Sequence, residues 1–358
     1  MRLDHASVVI CTHNQASRLR LVLRALSVSE VMPNEIIIAD DASTDETSAV
    51  LATAASWFPG SKLLTTRLTS NLGSPGARNA GARLATGDLL LFLDGDALPT
   101  RAHIGNHLEA QRASGPLGLF GPLWHTTTTE YLRDPSTGAR FEVDIPVGVR
   151  VALDADPNGT RITEEDVLER FEGIVARSAP GSYPPLGKME AAGQQLGDAA
   201  GHGAAWLLMS PQNFSVPRAS FEAVGGFDAT LPFSEGWDLT LRLARAGVPT
   251  RREPRSPIYH LYHHRKLTAF SEGLRRYVAM KMIAQKLGHA SLELGMLFFN
   301  AIGGDPWLPH GLALDDLDTL AAIFATWQGS ERGPLGRILD GHPHYSELEE
   351  AFQERRTA

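Results

Sequence analysis

The sequence predicts an α/β fold in which helices flank a mostly parallel central sheet and a helical C-terminal extension follows. Two observations predict it. Short apolar runs alternate with amphipathic segments along the first part of the chain, and several of these runs end on acidic residues. This alternation is typical of a Rossmann-like sheet whose parallel strands bring ligand-binding groups to one edge.

The first two strands follow from their composition. Residues 7–12 form a β-branched run, and the segment after it repeats apolar residues with the 3.6-residue period of a helix, at Leu19, Val22, Leu23 and Leu26. Residues 35–41 form a second apolar run that ends on two aspartates. Ser43 and Glu46 then predict a capping box for a helix that extends to about residue 57.

The run 88–96 is the most informative stretch. Before it, residues 62–66 predict a short third strand, and Ser74-Pro75 predicts the start of a helix. The run itself is apolar up to Asp94-Gly95-Asp96, so its end should emerge at the carboxyl edge of a buried parallel sheet. Two such carboxylates suit Mg²⁺ or Mn²⁺ bound to a diphosphate, and a solvated acidic turn is the alternative.

Composition restricts the function classes. The 358 residues carry a formal net charge of −8, which gives no basic field for binding nucleic acid. One cysteine, Cys11, allows no intrachain disulfide and favours a reducing compartment. The first strand follows the amino terminus directly, and no apolar run reaches the roughly 18 residues of a membrane span. We therefore expect a cytoplasmic protein without an integral membrane span.

The second half of the chain gives weaker signals. Thr163 predicts the cap of an amphipathic helix that buries Val167, Leu168, Phe171 and Val175. Residues 204–209 predict a strand, and residues 237–247 predict a helix with Glu235 at its start. Residues 258–265 predict a strand in which alternation puts His260 and His264 on one face and His263 on the other.

Four ordered blocks, 8–14, 36–45, 71–81 and 87–96, resemble the family 2 glycosyltransferases of the GT-A fold. Looser similarity continues through 213–216, 225–228, 235–238 and 259–260, so about half of the chain is covered. The resemblance implies transfer of a sugar, with inversion, from a nucleotide diphosphate sugar to a hydroxyl-bearing acceptor. A UDP-sugar is the favoured donor, and the acceptor is a small molecule, a glycan or a peptide.

The resemblance also implies roles for individual residues. Asp41 would accept the uracil ring N–H, with Asp40 as its alternative and Thr12 lining the base pocket. The remaining residues would serve the diphosphate and the metal ion: Arg78, Asp94, Asp96, His260 and His263. Arg78 would approach the diphosphate or hold the acids of the binding loop, and Asp94 would face the ribose or share Mn²⁺ or Mg²⁺ with Asp96.

The catalytic base is the point where the sequence departs from the family. The family usually has Glu-Asp at this place, and the second acid removes the acceptor proton. This chain has Glu235-Gly236, so we assign the base to Glu235, with Asp238 in reserve. Two alternatives remain open: a nucleotidyltransferase, and a non-catalytic protein that binds sugar nucleotides.

The predicted domain organisation has four parts. Residues 1–120 form the nucleotide-sugar-binding half, and residues 121–204 form an insertion or flap near the acceptor site. Residues 205–267 form the acceptor-binding and catalytic half, and residues 268–358 form the helical C-terminal extension, which could mediate homo-oligomerisation.

Overall fold

The computed structural model describes residues 5–126, 128, 130–132, 161–179, 209–263, 275, 278, 279, 282, 283 and 285–287. The strands are β1 (Ala6–Thr12), β2 (Glu35–Asp40), β3 (Lys62–Arg67), β4 (Leu89–Asp94), β5 (Ala97–Pro99), β6 (Gly118–Phe120), β7 (Leu123–Thr126), β8 (Ser178–Ala179), β9 (Asn213–Pro217), β10 (Thr250–Arg252) and β11 (Ile258–Leu261). The helices are α1 (Ala16–Leu26), α2 (Thr47–Ala54), α3 (Gly73–Leu84), α4 (His103–Ser114), α5 (Glu164–Glu169), α6 (Phe171–Ala176), α7 (Arg218–Ala223) and α8 (Glu235–Arg245).

The larger sheet of the described chain has the strand order β10-β6-β9-β4-β1-β2-β3. Strands β4, β1, β2 and β3 run parallel to one another, and β9 is antiparallel to both of its neighbours. The predicted mostly parallel α/β sheet is therefore confirmed. In the parallel registers Thr12 pairs with Asp40 and Cys11 with Asp94, so the strands end together at one edge.

The smaller sheet, β5-β11-β7-β8, lies beyond that edge. Strand β5 follows Asp96 directly and pairs antiparallel with β11, with His260 opposite Ala97. The backbone N–H of Leu261 donates to the Asp96 carbonyl at 2.9 Å. This pairing brings a segment from late in the chain against the acidic end of β4.

Helix α3 lies very close to the sheet because of one glycine. A Cβ atom on Gly81 would lie 2.6 Å from Cγ1 of Val9 and 3.4 Å from Cβ of Ala39. Any larger residue would push the helix away from β1 and β2. Since α3 also carries Arg78, this close packing sets the depth at which that side chain is buried.

One local expectation near α2 needs correction. The predicted capping box of Ser43 and Glu46 is wrong, because the Ser43 hydroxyl accepts the Asn14 backbone N–H at 3.0 Å. The N-cap of α2 is Glu46, which makes no side-chain cap hydrogen bond, and Oδ1 of Asp45, the residue before it, accepts the Thr47 backbone N–H at 3.1 Å. A tertiary hydrogen bond has thus replaced a local one.

The described part of the predicted insertion packs on the main domain. Thr163 caps α5, as the sequence predicts, and it also forms a capping box with Asp166. The helical path breaks at Arg170, so Ile174 is buried and Val175 is exposed, contrary to the expectation for a continuous helix. The predicted strand 204–209 and most of the predicted helical extension 268–358 lie outside the described residues; Met209, which is described, is not in a strand.

None of the helices in the described part of the chain combines the length and the hydropathy that crossing a membrane requires. Among the described positions after 263, Ala279 and Ile283 are fully buried. These two positions of the predicted C-terminal extension therefore belong to the buried apolar core.

A buried polar cluster joins α4 to β9. The His107 ring lies 2.8 Å from the Ser215 hydroxyl through Nδ1 and 3.3 Å from Oδ1 of Asn213 through Nε2. Its ring centroid is 4.8 Å from that of His103. Burial lowers the pKa of His107 to about 4, although Asn213 and Glu253 oppose the shift.

This cluster predicts acid sensitivity. The unfolded chain binds a proton at His107 near its ordinary pKa of 6.5, whereas the folded protein does so only at about 4. Stability from this group is therefore complete above pH 6.5 and falls as the pH drops towards 4, by about 2 kcal/mol at pH 5. The free energy of unfolding, measured with urea, should differ less between pH 7.5 and pH 5 in His107→Gln than in the wild type. A replacement of the exposed His5 by glutamine should leave the difference unchanged.

Candidate active site

The carboxyl edge of the large sheet collects most of the predicted site residues. Strand ends and adjoining loops carry Thr12, Asp40, Asp41, Asp94 and Asp96, helices α3 and α8 carry Arg78 and Glu235, and β11 with the residues after it carries His260 and His263. These positions come from six separate parts of the sequence. Asp238 lies in the first turn of α8 and forms ion pairs with Arg242 and Lys286.

Three of these side chains form a candidate metal site. Nε2 of His260 lies 3.5 Å from Oδ1 of Asp96, and Nε2 of His263 lies 3.2 Å from Oδ2. One potential ligand atom from each residue lies within 4.8 Å of the others. Burial would raise the pKa of the Asp96 carboxyl, but the two imidazoles and Arg18 lower it well below its ordinary value.

His263 reaches this site because β11 is shorter than its sequence predicts. The strand ends at Leu261, so the alternation that would turn His263 away from His260 does not continue. His264 lies outside the described residues. His260 and His263 can therefore both face the Asp96 carboxylate.

Arg78 forms ion pairs with both Asp94 and Glu235. Its Nη2 donates to Oδ1 of Asp94 and its Nη1 to Oε1 of Glu235, both at 2.7 Å. Burial would lower the pKa of Arg78, but Asp94, Cys11 and Glu235 raise it. The guanidinium therefore stays charged although its side chain is only 2% exposed.

Asp94 consequently faces Arg78 and is not among the three clustered metal donors. The Cys11 thiol also donates to its Oδ1 at 3.2 Å. Burial, reinforced by Asp94, raises the pKa of Cys11 well above its ordinary value, which keeps the thiol protonated. Cys11 is thus a small core residue that contacts the site, and not a nucleophile.

Asp40 and Asp41 organise the loops around them. Asp41 accepts the backbone N–H groups of Leu72 at 2.7 Å and Gly73 at 2.9 Å, which are the first groups of α3. Asp40 accepts the Ser43 backbone N–H at 2.8 Å. Both carboxylates therefore have a structural role whether or not they also contact a ligand.

Two residues that the sequence did not single out brace these loops. Nδ1 of His13 lies 2.7 Å from the Asp41 carbonyl oxygen, and Oδ1 of Asn14 accepts the Thr44 backbone N–H at 2.7 Å. Asn14 and Ala42 both have positive φ angles, of 49° and 60°. The Asn following the first strand was the available signal, since asparagine tolerates this conformation better than most residues.

Asp238 is held in a buried ion-pair network. Its side chain is 0% exposed, Nε of Arg242 donates to its Oδ2 at 2.8 Å, and Nζ of Lys286 lies 3.3 Å from its Oδ1. Arg242 also donates to the Gly226 carbonyl at 2.8 Å. This acid is therefore engaged in anchoring α8, which is a structural explanation for its burial.

Gly236 lies close to the side chains of Met209 and Pro211. A Cβ atom at this position would lie 2.7 Å from Sδ of Met209 and 3.1 Å from Cδ of Pro211. The preceding Ser234 has a positive φ of 58°. A side chain at the place where the family usually has its second acid would therefore require Met209 or Pro211 to move.

Residues 7–151 match the family described as Glycosyl transferase family 2. This part of the chain belongs to glycosyltransferase family 2. The whole chain is 27% identical over 253 residues to the uncharacterized glycosyltransferase YfnE of Bacillus subtilis (strain 168), with 69% of this chain and 62% of that protein covered. It is also 27% identical over 250 residues to validoxylamine A glucosyltransferase of Streptomyces hygroscopicus subsp. limoneus, with 68% and 48% covered. It thus spans less than two thirds of either relative.

Solved structures with the same fold are similar to this chain. S. aureus TarS 1-349 in complex with UDP aligns with a TM-score of 0.54 at 14% identity, covering 98% of this chain and 91% of that chain. A mannosyltransferase from Pyrobaculum calidifontis aligns with a TM-score of 0.50 at 16% identity, covering 98% and 87%. The GT-A fold is therefore confirmed, and these likenesses show no more than the fold.

The tight contact at Gly236 gives a test of the local packing. We expect the free energy of unfolding of Gly236→Ala to be about 1 kcal/mol lower than that of Gly173→Ala, because both substitutions replace a helical glycine and only the first puts a methyl group against Met209 and Pro211. Urea unfolding measures the change. Gly173→Ala is the matched control, since a Cβ there meets nothing within 4 Å. In a Met209→Ala background the same substitution should cost less, and an equal cost would contradict the proposed contact.

Proposed function

We propose that this protein transfers a glycosyl group from a nucleotide diphosphate sugar to a hydroxyl-bearing acceptor, with inversion at the anomeric carbon. The observation that carries the proposal is the meeting of two side-chain groups at the end of β4. The first is the Asp96–His260–His263 cluster, and the second is Arg78 with its two acids, Asp94 and Glu235. One group suits a metal-bound diphosphate, and the other provides a carboxylate base.

A UDP-sugar is the favoured donor. Structures with this fold include TarS 1-349 in complex with UDP-GlcNAc, GalNAc-T7 with UDP, GalNAc and Mn²⁺, and the Pyrobaculum mannosyltransferase with GDP-Man and Mn²⁺. All three bind a nucleotide, and two bind a uridine nucleotide. This supports the donor class by analogy of fold.

The Asp96 cluster fits a divalent cation. Oδ1 of Asp96 is buried and accepts no hydrogen bond from the part of the chain that the structure describes. One carboxylate and two imidazoles form a mixed oxygen and nitrogen donor set, which suits Mn²⁺ better than Mg²⁺. Asp96, His260 and His263 would hold the ion, and the ion would supply Lewis-acid stabilisation of the departing diphosphate.

Glu235 is the proposed base. The acceptor hydroxyl oxygen forms a bond to the anomeric carbon while the bond from that carbon to the β-phosphate oxygen breaks. The electron pair of the broken bond leaves with the nucleoside diphosphate, and the acceptor proton passes to a Glu235 oxygen. Arg78 orients Glu235 through its 2.7 Å hydrogen bond, and the positive end of α8 lies against the carboxylate.

Asp41 is the proposed acceptor for the uracil ring N–H, with Asp40 as the alternative and Thr12 beside the base. Each Asp41 oxygen accepts one backbone N–H, which leaves a further lone pair on each oxygen. The Thr12 hydroxyl is buried and has no hydrogen-bond partner among the described residues. A nucleoside could therefore add hydrogen bonds without breaking those that hold the loop.

Two other functions are less well supported. A nucleotidyltransferase would need groups for a triphosphate, whereas residues 9–18 lack the usual clustering of glycine and basic residues. A non-catalytic sugar-nucleotide-binding protein is suggested by Gly236. The ion pair between Glu235 and Arg78 favours an enzyme, because it orients a carboxylate that can act as the base. A cytoplasmic location, homo-oligomerisation and a small-molecule, glycan or peptide acceptor remain proposals.

Metal dependence can be tested by binding alone. We expect UDP to bind tightly with Mn²⁺ and weakly in chelator, because the diphosphate charge needs a counter-ion at Asp96. Isothermal titration should show that Asp96→Ala removes most of this metal dependence. Equal affinity for UDP in Mn²⁺ and in chelator would contradict the proposed site.

The base can be tested with a pair of acid-to-amide variants. We expect Glu235→Gln to lower the turnover of a UDP-sugar by roughly a hundredfold or more while UDP binding persists, since general-base catalysis contributes about 10² to 10⁴. Release of UDP from the donor measures turnover. Asp238→Asn is the matched variant, and it should lower thermal stability while the folded protein keeps its turnover. The reverse ranking would assign the base to Asp238.

A further inference from the structure

Arg18 lies beside the proposed metal site. It is the third residue of α1, its side chain is only 13% exposed, and its Nε is 3.9 Å from Oδ2 of Asp96. That separation is too long for a hydrogen bond. Nε of Arg18 is buried and donates no hydrogen bond within the described part of the chain. The charged Nε–H of Arg18 therefore faces the Asp96 carboxylate but has no acceptor within hydrogen-bond distance among the described residues.

The other cation in the site is already committed. Arg78 donates to both Asp94 and Glu235, so two carboxylates balance its single charge. His260 and His263 would be neutral as metal ligands. Once a divalent ion balances Asp96, Arg18 is the nearby described side chain whose positive charge is not matched by a close carboxylate.

Two neighbours fix the position of Arg18. Its Nη2 donates to Oε1 of Gln15 at 3.2 Å, and its guanidinium carbon lies 5.4 Å from the centroid of the Tyr131 ring. A cation over an aromatic face is attracted to the ring. Gln15 also packs on the loop that carries Asp96, because its Nε2 would lie 2.4 Å from a Cβ atom on Gly95.

We propose that Arg18 is a binding residue for the donor diphosphate, held in place by Gln15 and Tyr131. This inference rests on the proposed function and assigns a protein cation to the phosphate side of the same site. A guanidinium is always charged, and its planar fork matches the geometry of phosphate oxygens. A phosphate oxygen would also give the buried Nε–H the acceptor that it lacks. Tyr131 belongs to the predicted insertion, so the inference gives that segment a part in donor binding.

The test compares ligands that differ in their phosphates. Isothermal titration in Mn²⁺ would measure UDP, UMP and inorganic pyrophosphate against the wild type and Arg18→Met, which keeps the length of the side chain without its charge. We expect Arg18→Met to weaken UDP and pyrophosphate by roughly ten- to a hundredfold, as for a hydrogen bond to a charged group. UMP should change by less than about threefold, and Arg18→Lys should restore part of the loss.

Two controls separate binding from general disturbance. Arg20→Met lies on the same helix but contacts Glu164 and Trp57, so it should leave every affinity unchanged. Mn²⁺ binding without nucleotide, followed by the electron paramagnetic resonance of the free ion, should be nearly equal in the wild type and Arg18→Met. A loss of Mn²⁺ affinity as large as the loss for UDP would mean that Arg18 acts only through Asp96, and would overturn the inference.

The remaining outcomes are also decisive. An unchanged affinity of Arg18→Met for UDP and pyrophosphate, or an equal loss for UMP, would overturn the role of Arg18 while the proposed function stands. If the wild type binds Mn²⁺-pyrophosphate but not UDP, the nucleotide assignment fails, and pyrophosphate still tests Arg18. A wild type that binds neither ligand would overturn both proposals.

Discussion

The site depends on one buried cation. Arg78 is almost fully buried and holds Asp94 from β4 and Glu235 from α8, two acids that would otherwise repel and require water. Removing one partner from a buried charge network typically costs about 3–5 kcal/mol. Gly81 lets α3 approach the sheet closely enough for this contact. The interaction therefore joins the end of the sheet to the helix that presents the proposed base.

Around this contact the loops are held by hydrogen bonds between segments distant in sequence. Asn79, the neighbour of Arg78, donates to the Phe227 carbonyl and accepts its N–H. Arg242 binds the same turn from α8, and Lys286 links that turn to Asp238. Lys286, in the described part of the C-terminal extension, thus helps to hold the turn and helix α8 in place beside the site. Positioning in this molecule is distributed over four segments, each of which satisfies a charge or backbone group of another.

The sequence predicts those features that short-range patterns control. Apolar runs located β1, β2 and β4, and the acids at their ends marked the edge where the site residues collect. The pairing of Arg78 with Glu235 spans 157 residues and leaves no local pattern. The wrong capping box at Ser43 has the same cause, because a distant backbone N–H competed for the hydroxyl. Likewise, the period of β11 could not reveal that the strand stops before His263.

The position of β9 in the sheet has a consequence for how the chain folds. This strand lies between β4 and β6, yet it is made from residues 213–217, about a hundred positions after β6. While the ribosome is still making that interval, β4 has an open edge and β6 has no partner that connects it to the parallel strands. An unpaired apolar edge of this kind is prone to association with other chains. The amino-terminal half therefore cannot complete its sheet during synthesis until the second half emerges, and the interval between them is when the nascent protein most needs protection.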